Sequence, residues 1–353
     1  MRKFLPFFFL ILFFSCQNET SVSQTSISGY FKIKGQTMGT TYHITYEDSL
    51  GRNFKPEVDS ILVEINQGVS TYIPDSKISL SNQNKQSKFN GNTLFEDHFL
   101  TNLLHSGYVF KMTKGYFDPT VMPLVNYWGF GYTEKKSITE IDSVKVDSLK
   151  KLVGFEKVSI NCESDDKGVK CSFVKQNPKT QLDFSAIAKG YAVDVIAIHF
   201  EEKGIKNYLV EIGGEMRSKG KNPQGKLWTS AINTPKISAG LNEYQAIIQL
   251  NNKAIATSGN YRNFHKVDDE WYGHEINPKT GFPEKSNLLS VSVLTDDCMS
   301  ADAYATAMMV MGLEKSKALA ERLDNLDAFL IFANERGELE TFYTKGFEGN
   351  VLK

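Results

Sequence analysis

Apolar residues along the chain switch between two spacings, one near every second position and one near every third or fourth. Val58, Ile61, Leu62 and Ile65 fall at i, i+3, i+4 and i+7, which predicts an amphipathic helix over 56–68. Phe95, Phe99 and Leu103 predict a second helix over 94–114, stopped by Gly115. Ser137 and Glu140 have the spacing of a capping box opening a third helix, which Gly154 ends. Asp183-Phe-Ser-Ala opens a longer helix over 186–203, which stops at Gly204. Ser300 is the expected cap of a helix running to Met311, and another covers 314–324. Strand-like runs lie between these helices. They comprise a pair over Tyr30–Tyr46 around Gly35–Gly39, a hairpin over 156–175, runs at 207–212, 227–233, 244–250, 254–258 and 288–295, and a closing hairpin over 327–343 around Glu335–Glu338. No repeat or Pro-rich linker interrupts the pattern. It predicts one α+β domain over 28–353, with room for two lobes.

The first 27 residues do not fit that domain. Arg2 and Lys3 precede an apolar run from Phe4 to Phe14, then Ser15-Cys16. Eleven helical residues span about 16 Å, too short to cross a bilayer, so residues 1–15 read as a secretory signal. Ser15-Cys16 resembles a bacterial lipobox, with Phe13 where Leu is usual. The expectation is an exported protein held at the outer face of a membrane by a lipid, palmitate included, on Cys16. An unlipidated secreted protein is the alternative. Residues 17–27 are polar and rich in Ser and Thr, suited to a flexible tether over 16–27.

Composition narrows the classes of function. The chain has 353 residues, 41% hydrophobic and 23% charged, with 40 Lys+Arg against 41 Asp+Glu. That balance excludes a disordered or collagen-like chain and leaves no excess of cations for binding nucleic acid through bulk charge. Among the four cysteines, Cys162 and Cys171 flank a turn centred on Asp165-Asp166-Lys167-Gly168, and spacing allows either a disulfide or two thiols. Cys298 reads as a buried small apolar residue.

Several motifs fail on inspection. Gly220–Lys226 approximates a phosphate-binding loop, but Leu227 stands where Ser or Thr would hold magnesium, so the segment is a turn. His274-Glu275 lacks the second histidine of a zinc-protease helix, and Pro278 would break that helix. The six histidines have no zinc-ligand spacing. Two pairs carry more content. Asp302 and Thr306, four apart near a helix start, put two oxygens on one face, a donor set suited to Mg²⁺. Asp183 and Lys189 flank another helix start, where an acceptor and a cation can meet a phosphorylated ligand. Taken singly, each pair reads more simply as an ordinary cap or solvated side chain.

The chain nevertheless strings together Met38-Gly-Thr, Phe117-Asp-Pro-Thr, Trp128-Gly-Phe, Ala188-Lys-Gly-Tyr and Ile212-Gly-Gly-Glu. These are followed by Thr257-Ser-Gly-Asn-Tyr, Asn277-Pro-Lys-Thr-Gly and Ala301-Asp-Ala-Tyr-Ala-Thr-Ala. In that order they resemble the ApbE family, the FAD:protein FMN transferases, from Gly35 to about Gly312. The resemblance implies an ApbE-like domain of mixed sheets packed by helices, related to tunnelling-fold sheets, with FAD in a cleft between lobes. It implies Mg²⁺-dependent cleavage of the FAD pyrophosphate. The FMN half passes to a Thr or Ser hydroxyl of a target protein as a phosphoester, and AMP is released. Met38, Tyr72, Tyr116, Phe117, Asp118, Asp183, Lys189 and Ile276 would then line the FAD site. Asp302, Thr306 and the Ala186 carbonyl would hold Mg²⁺. Ser185 departs from the family, where many members have Gly.

Phosphoryl transfer asks for alignment and charge neutralisation. Lys189 and Asp302 are the candidates for that work, and His274 is the candidate base for the acceptor hydroxyl. On its own, His274 reads more simply as a structural histidine bonding a loop carbonyl. The acceptor implied by the resemblance is a subunit of a membrane electron-transport complex. Two other readings stay open. One is hydrolysis of FAD to FMN and AMP at the same site, and the other is a flavin-binding lipoprotein without catalysis.

Overall fold

The computed structural model describes residues 29–91, 97–133, 141–165, 168–235, 243–260, 264–267 and 270–352. The signal, Cys16, the tether, Phe95, the Ser137–Glu140 box and Tyr261-Arg262 lie outside the described residues. The first hairpin pairs Tyr30–Thr37 with Thr40–Glu47. Its turn is made by Met38 and Gly39, both at positive φ, 49° and 73°. Two positive φ values match the right-handed twist of the strands they join, and Gly39 takes its value without steric cost.

Among the described residues, eight strands form one antiparallel sheet. Its spatial order is Tyr30–Thr37, Thr40–Glu47, Tyr208–Ile212, Glu215–Lys219, Ala254–Gly259, Leu288–Thr295, Asp327–Ala333 and Leu339–Tyr343. Central strands such as Leu288–Thr295 are covered on both faces, so residues of both alternating sets are buried. Alternate residues then face different layers. Ala254, Ala256, Val291, Val293, Ala328 and Leu330 join one core cluster with the helices Ala188–Glu202 and Cys298–Met311. Ile255, Leu294, Phe329 and Ile331 join a second cluster with Trp228, Ile248 and Leu250 of a smaller sheet. That sheet contains Trp228–Asn233, Tyr244–Leu250 and Val351–Leu352. The architecture is helices on one face of a large sheet and a small sheet on the other, the α+β class expected from the pattern.

A third sheet contains Lys88–Gly91, Gly168–Lys175 and Val158–Asp165. It brings Cys162 directly opposite Cys171, and the two are disulfide-bonded. Cys298 is a buried free thiol. Leu124, Trp128, Val146, Val153 and Ile276 form a separate apolar cluster. Trp128 Nε1 donates to the Gly281 carbonyl at 2.9 Å, tying the Trp-Gly-Phe segment to the Asn-Pro-Lys-Thr-Gly segment.

Several expected boundaries move. The helix expected from a cap at Ser300 begins at Cys298, because Asp297 is the cap and accepts from Ser300 N at 2.8 Å. Buried Asp194 satisfies two more of the free amides at that helix start, accepting from Cys298 N at 2.9 Å and Met299 N at 2.8 Å. Asp302 and Thr306 therefore sit in the second and third turns of the helix, away from its start. The third helix is Ser143–Lys150, capped by Asp142. Strand Glu215–Lys219 was not legible as a strand. Its buried residues are Glu215 and Ser218, with Met216 half-buried against the second cluster, so it lacks apolar alternation. The Gly220–Lys226 segment is a turn between two strands, as its sequence implies.

Candidate active site

The site is built where the two helices under the large sheet cross. A Cβ on Gly190 would stand 2.2 Å from the Cys298 carbonyl oxygen and 2.8 Å from Asp302 Cβ, so only glycine allows this approach. The exposed backbone is used, and Gly190 N donates to Asp302 Oδ2 at 3.0 Å. Next to it, Lys189 Nζ lies 3.0 Å from Glu215 Oε1 and 3.8 Å from Asp302 Oδ1. Glu215 and Asp302 are buried, while Lys189 keeps part of its surface open. Burial lowers the proton affinity of Lys189, but the charges of Asp302 and Glu215 outweigh it and hold the ammonium above its usual range. For Glu215, burial pushes the carboxyl up to about 7, against the pull of Lys189. Glu215 Oε2 has no hydrogen-bond partner among the described residues. One ammonium thus faces two acidic side chains.

The remaining walls come from loops. Thr306 Oγ1 lies 3.2 Å from Ser258 Oγ on strand Ala254–Gly259. Asp183 accepts from Ser185 N at 2.8 Å and from Ser185 Oγ at 2.9 Å, and burial pushes its carboxyl upward. Asp118 accepts from Thr120 N at 2.8 Å, Thr120 Oγ1 at 2.6 Å and Phe155 N at 3.3 Å. Burial still pushes the Asp118 carboxyl up to about 6. The Tyr116 ring carries Lys279 Nζ at 4.7 Å and Lys315 Nζ at 5.1 Å from its centroid. His274 rests against Phe130 and places Nε2 3.3 Å from Glu275 Oε1.

These groups enclose a cavity of about 540 Å³. Tyr116, Phe117, Asp118, Asp183, Ala186, Lys189, His274, Ile276, Asp302 and Thr306 all line it, drawn from four separate stretches of sequence. Met38 and Tyr72 do not line it. Met38 lies in the first hairpin turn, two residues before Thr40, whose methyl packs at Gly213 on the cavity wall. Tyr72 is 71% exposed, with its ring edge-on to Tyr132. Burial of its inner part and the charge of Asp183 push its hydroxyl upward, so it stands on the Asp183 side.

The sequence model of the ApbE family matches residues 38–330. This chain belongs to the ApbE family. It is 37% identical over 330 residues to the FAD:protein FMN transferase of Haemophilus influenzae, spanning 92% of this chain and 90% of that protein. It is 39% identical to the Vibrio cholerae protein of the same name, spanning 82% of this chain and 84% of the other. The solved flavin transferase ApbE from Vibrio cholerae superposes with a TM-score of 0.79 at 35% identity, covering 91% of this chain and 99% of that one.

Within this ApbE chain, sequence reasoning missed three participants. Nothing local to Glu215 marks it as facing Lys189, which lies on the helix packed against the sheet. Glu275 was read only as part of a failed zinc motif. Gly190 was legible as a motif residue, while its contact with Asp302 needed the helix crossing.

Proposed function

We propose that this protein transfers the FMN moiety of FAD to a Thr or Ser hydroxyl of a target protein in a Mg²⁺-dependent reaction that releases AMP. The observation that carries the reading is the Lys189–Glu215–Asp302 cluster in the cavity wall, with Thr306 one turn beyond Asp302. A pyrophosphate brings further negative charge to a place where Lys189 already faces Asp302 and Glu215, so a second cation is favoured there.

The donor chemistry fits Mg²⁺. Among the described residues no three His, Cys, Asp or Glu side chains cluster as a complete metal cage. Asp302 would supply a carboxylate, Thr306 a hydroxyl and Ala186 a carbonyl, hard oxygens of residues that line the cavity, where Glu215 Oε2 is also unpartnered among the described residues. Mg²⁺ commonly takes few protein ligands and completes its shell with water and substrate phosphates. Bound there, it supplies neutralisation of charge on the pyrophosphate oxygens.

The chain's own residues do the rest. Lys189 offers an ammonium that stays protonated at neutral pH, a fixed cation for a non-bridging oxygen. Tyr116, Phe117 and Ile276 provide the apolar and aromatic surface on which ring systems pack. His274 takes the proton of the acceptor hydroxyl. That oxygen forms its bond to the FMN phosphorus as the bond from phosphorus to the bridging oxygen breaks, and AMP leaves with that oxygen.

The test is incubation with FAD, Mg²⁺ and a Thr-containing acceptor, followed by mass analysis. An acceptor heavier by one FMN supports transfer. Free FMN with unmodified acceptor makes the protein an FAD pyrophosphatase, and unchanged FAD makes it a flavin carrier. The signal pattern and Ser15-Cys16 support an exported protein, lipid-anchored at Cys16, with residues 28–353 as its transferase domain. Its acceptor would then be a membrane electron-transport subunit on the same face. Labelling with palmitate, lost in Cys16→Ala, tests the anchor.

A further inference from the structure

We propose that Glu275 is a positioning residue for the transfer, its carboxylate holding the His274 ring and balancing the positive charge that His274 gains on accepting the acceptor's proton. The inference rests on the reading of His274 as the base.

Glu275 is buried on the cavity wall, and neither carboxylate oxygen has a hydrogen-bond partner among the described residues. Burying a carboxylate without donors is costly, so a chain retains one where a partner arrives or where the charge is used. The cationic candidate at hand is His274, 3.3 Å from Glu275 Oε1. Burial pushes the Glu275 carboxyl upward, and His274 pulls it back. The contact is too poorly aligned to be a hydrogen bond in this structure, as is common before substrate closes a site.

The backbone from Glu275 onward is tied by hydrogen bonds of its own. Glu284 N donates to the Glu275 carbonyl at 2.9 Å, Asn277 N to Phe282 O at 2.8 Å and Gly281 N to Asn277 O at 2.8 Å. Gly273 leaves room for the carboxylate, since a Cβ there would stand 3.3 Å from Glu275 Oε2. The backbone of this loop is therefore held without the Glu275 side chain. A carboxylate that fixes an imidazole and stabilises its protonated form is the orienting third member of the general nucleophile–base–carboxylate arrangement.

The test compares full-length wild type, Glu275→Gln, Glu275→Asp, His274→Ala and the His274→Ala/Glu275→Gln double variant. Each is assayed with FAD, Mg²⁺ and a Thr-containing peptide, with thermal midpoint as the control for folding. Glu275→Gln is expected to lower kcat about tenfold or more with KM for FAD unchanged. Glu275→Asp should recover part of that loss, and Glu275→Gln should cost nothing further once His274 is absent. An unchanged kcat in Glu275→Gln overturns the inference. So does a raised KM at constant kcat, or an equal loss in the His274→Ala background, each of which makes Glu275 a ligand contact independent of His274. Wild type that attaches no FMN removes the proposed function itself, a different result from wild type that transfers while Glu275→Gln matches it.

Discussion

The amide of Gly190 donates to Asp302 Oδ2 at 3.0 Å across the crossing of two helices, at the point where any larger residue would strike the Cys298 carbonyl. One relationship therefore sets both how closely the helices pack and where the carboxylate of the site sits. A carboxylate held by a backbone donor has fewer rotamers to lose when a cation or phosphate arrives.

Gly190→Ala should damage fold and function together. The methyl has no space against backbone, so the helices must separate, costing about 1–3 kcal/mol. Thermal denaturation is expected to show a lowered midpoint, with transfer activity falling further than the folded fraction explains. An unchanged midpoint contradicts the close approach.

Asp302→Ala should leave the protein folded and abolish Mg²⁺-dependent transfer. Gly190 N loses its acceptor, a cost of about 1–3 kcal/mol that a domain with several buried clusters tolerates. Full activity at ordinary Mg²⁺ concentrations would sink the metal assignment.

Breaking the Asp194–Arg217 pair should be among the more destabilising single changes. Asp194 Oδ1 lies 2.8 Å from Arg217 Nη1, and its two oxygens also cap the helix that carries Asp302. Asp194→Ala leaves two amides without their acceptor and Arg217 with the more distant Glu201 at 3.7 Å, a loss of about 3–5 kcal/mol measurable by urea denaturation. A loss under 1 kcal/mol would show that water replaces the carboxylate.

Asp118 gives a pH signature. Burial raises its carboxyl from 3.8 to about 6, so the folded state holds the proton more tightly than the unfolded chain. Its contribution to stability is full below pH 3.8 and is lost as pH rises through 6. The stability of wild type relative to Asp118→Asn is therefore expected to fall between those values and to level off above. A relative stability that rises with pH would mean that the three donors on Asp118 dominate over burial.

Replacing both Cys162 and Cys171 by Ser should cost about 2–3 kcal/mol, the value for closing a short loop in the unfolded chain. Neither residue lines the cavity, so transfer by the folded protein should be unaffected. A collapse in activity at full folding would link that hairpin to the site.

Much of the molecule was legible because its elements are locally encoded. The helix at Lys55–Val69 buries Val58, Leu62 and Ile65 and half-buries Ile61, the four residues its periodicity selects. Cys298 is buried and Gly204 takes φ 81° at the helix end, as their types imply. The misplaced cap is instructive. Asp297 and Ser300 are both competent caps, and the chain could not show that Asp194, far away in sequence, also serves that helix start. Glu215–Lys219 was missed because a strand that buries a Glu and a Ser has no apolar rhythm to read.

By itself, the sequence determined the α+β class, most of the longer elements, the turns that need glycine and the short motifs that carry the family. These are properties of neighbouring residues, fixed by backbone sterics and the period of side-chain burial. Tertiary structure decided which motifs share a cavity, that Cys162 faces Cys171, that Lys189 stands between Glu215 and Asp302, and that Glu275 is buried beside His274. Those relationships depend on charges and van der Waals surfaces meeting across the sheet and the helix crossing, at separations that local patterning does not encode.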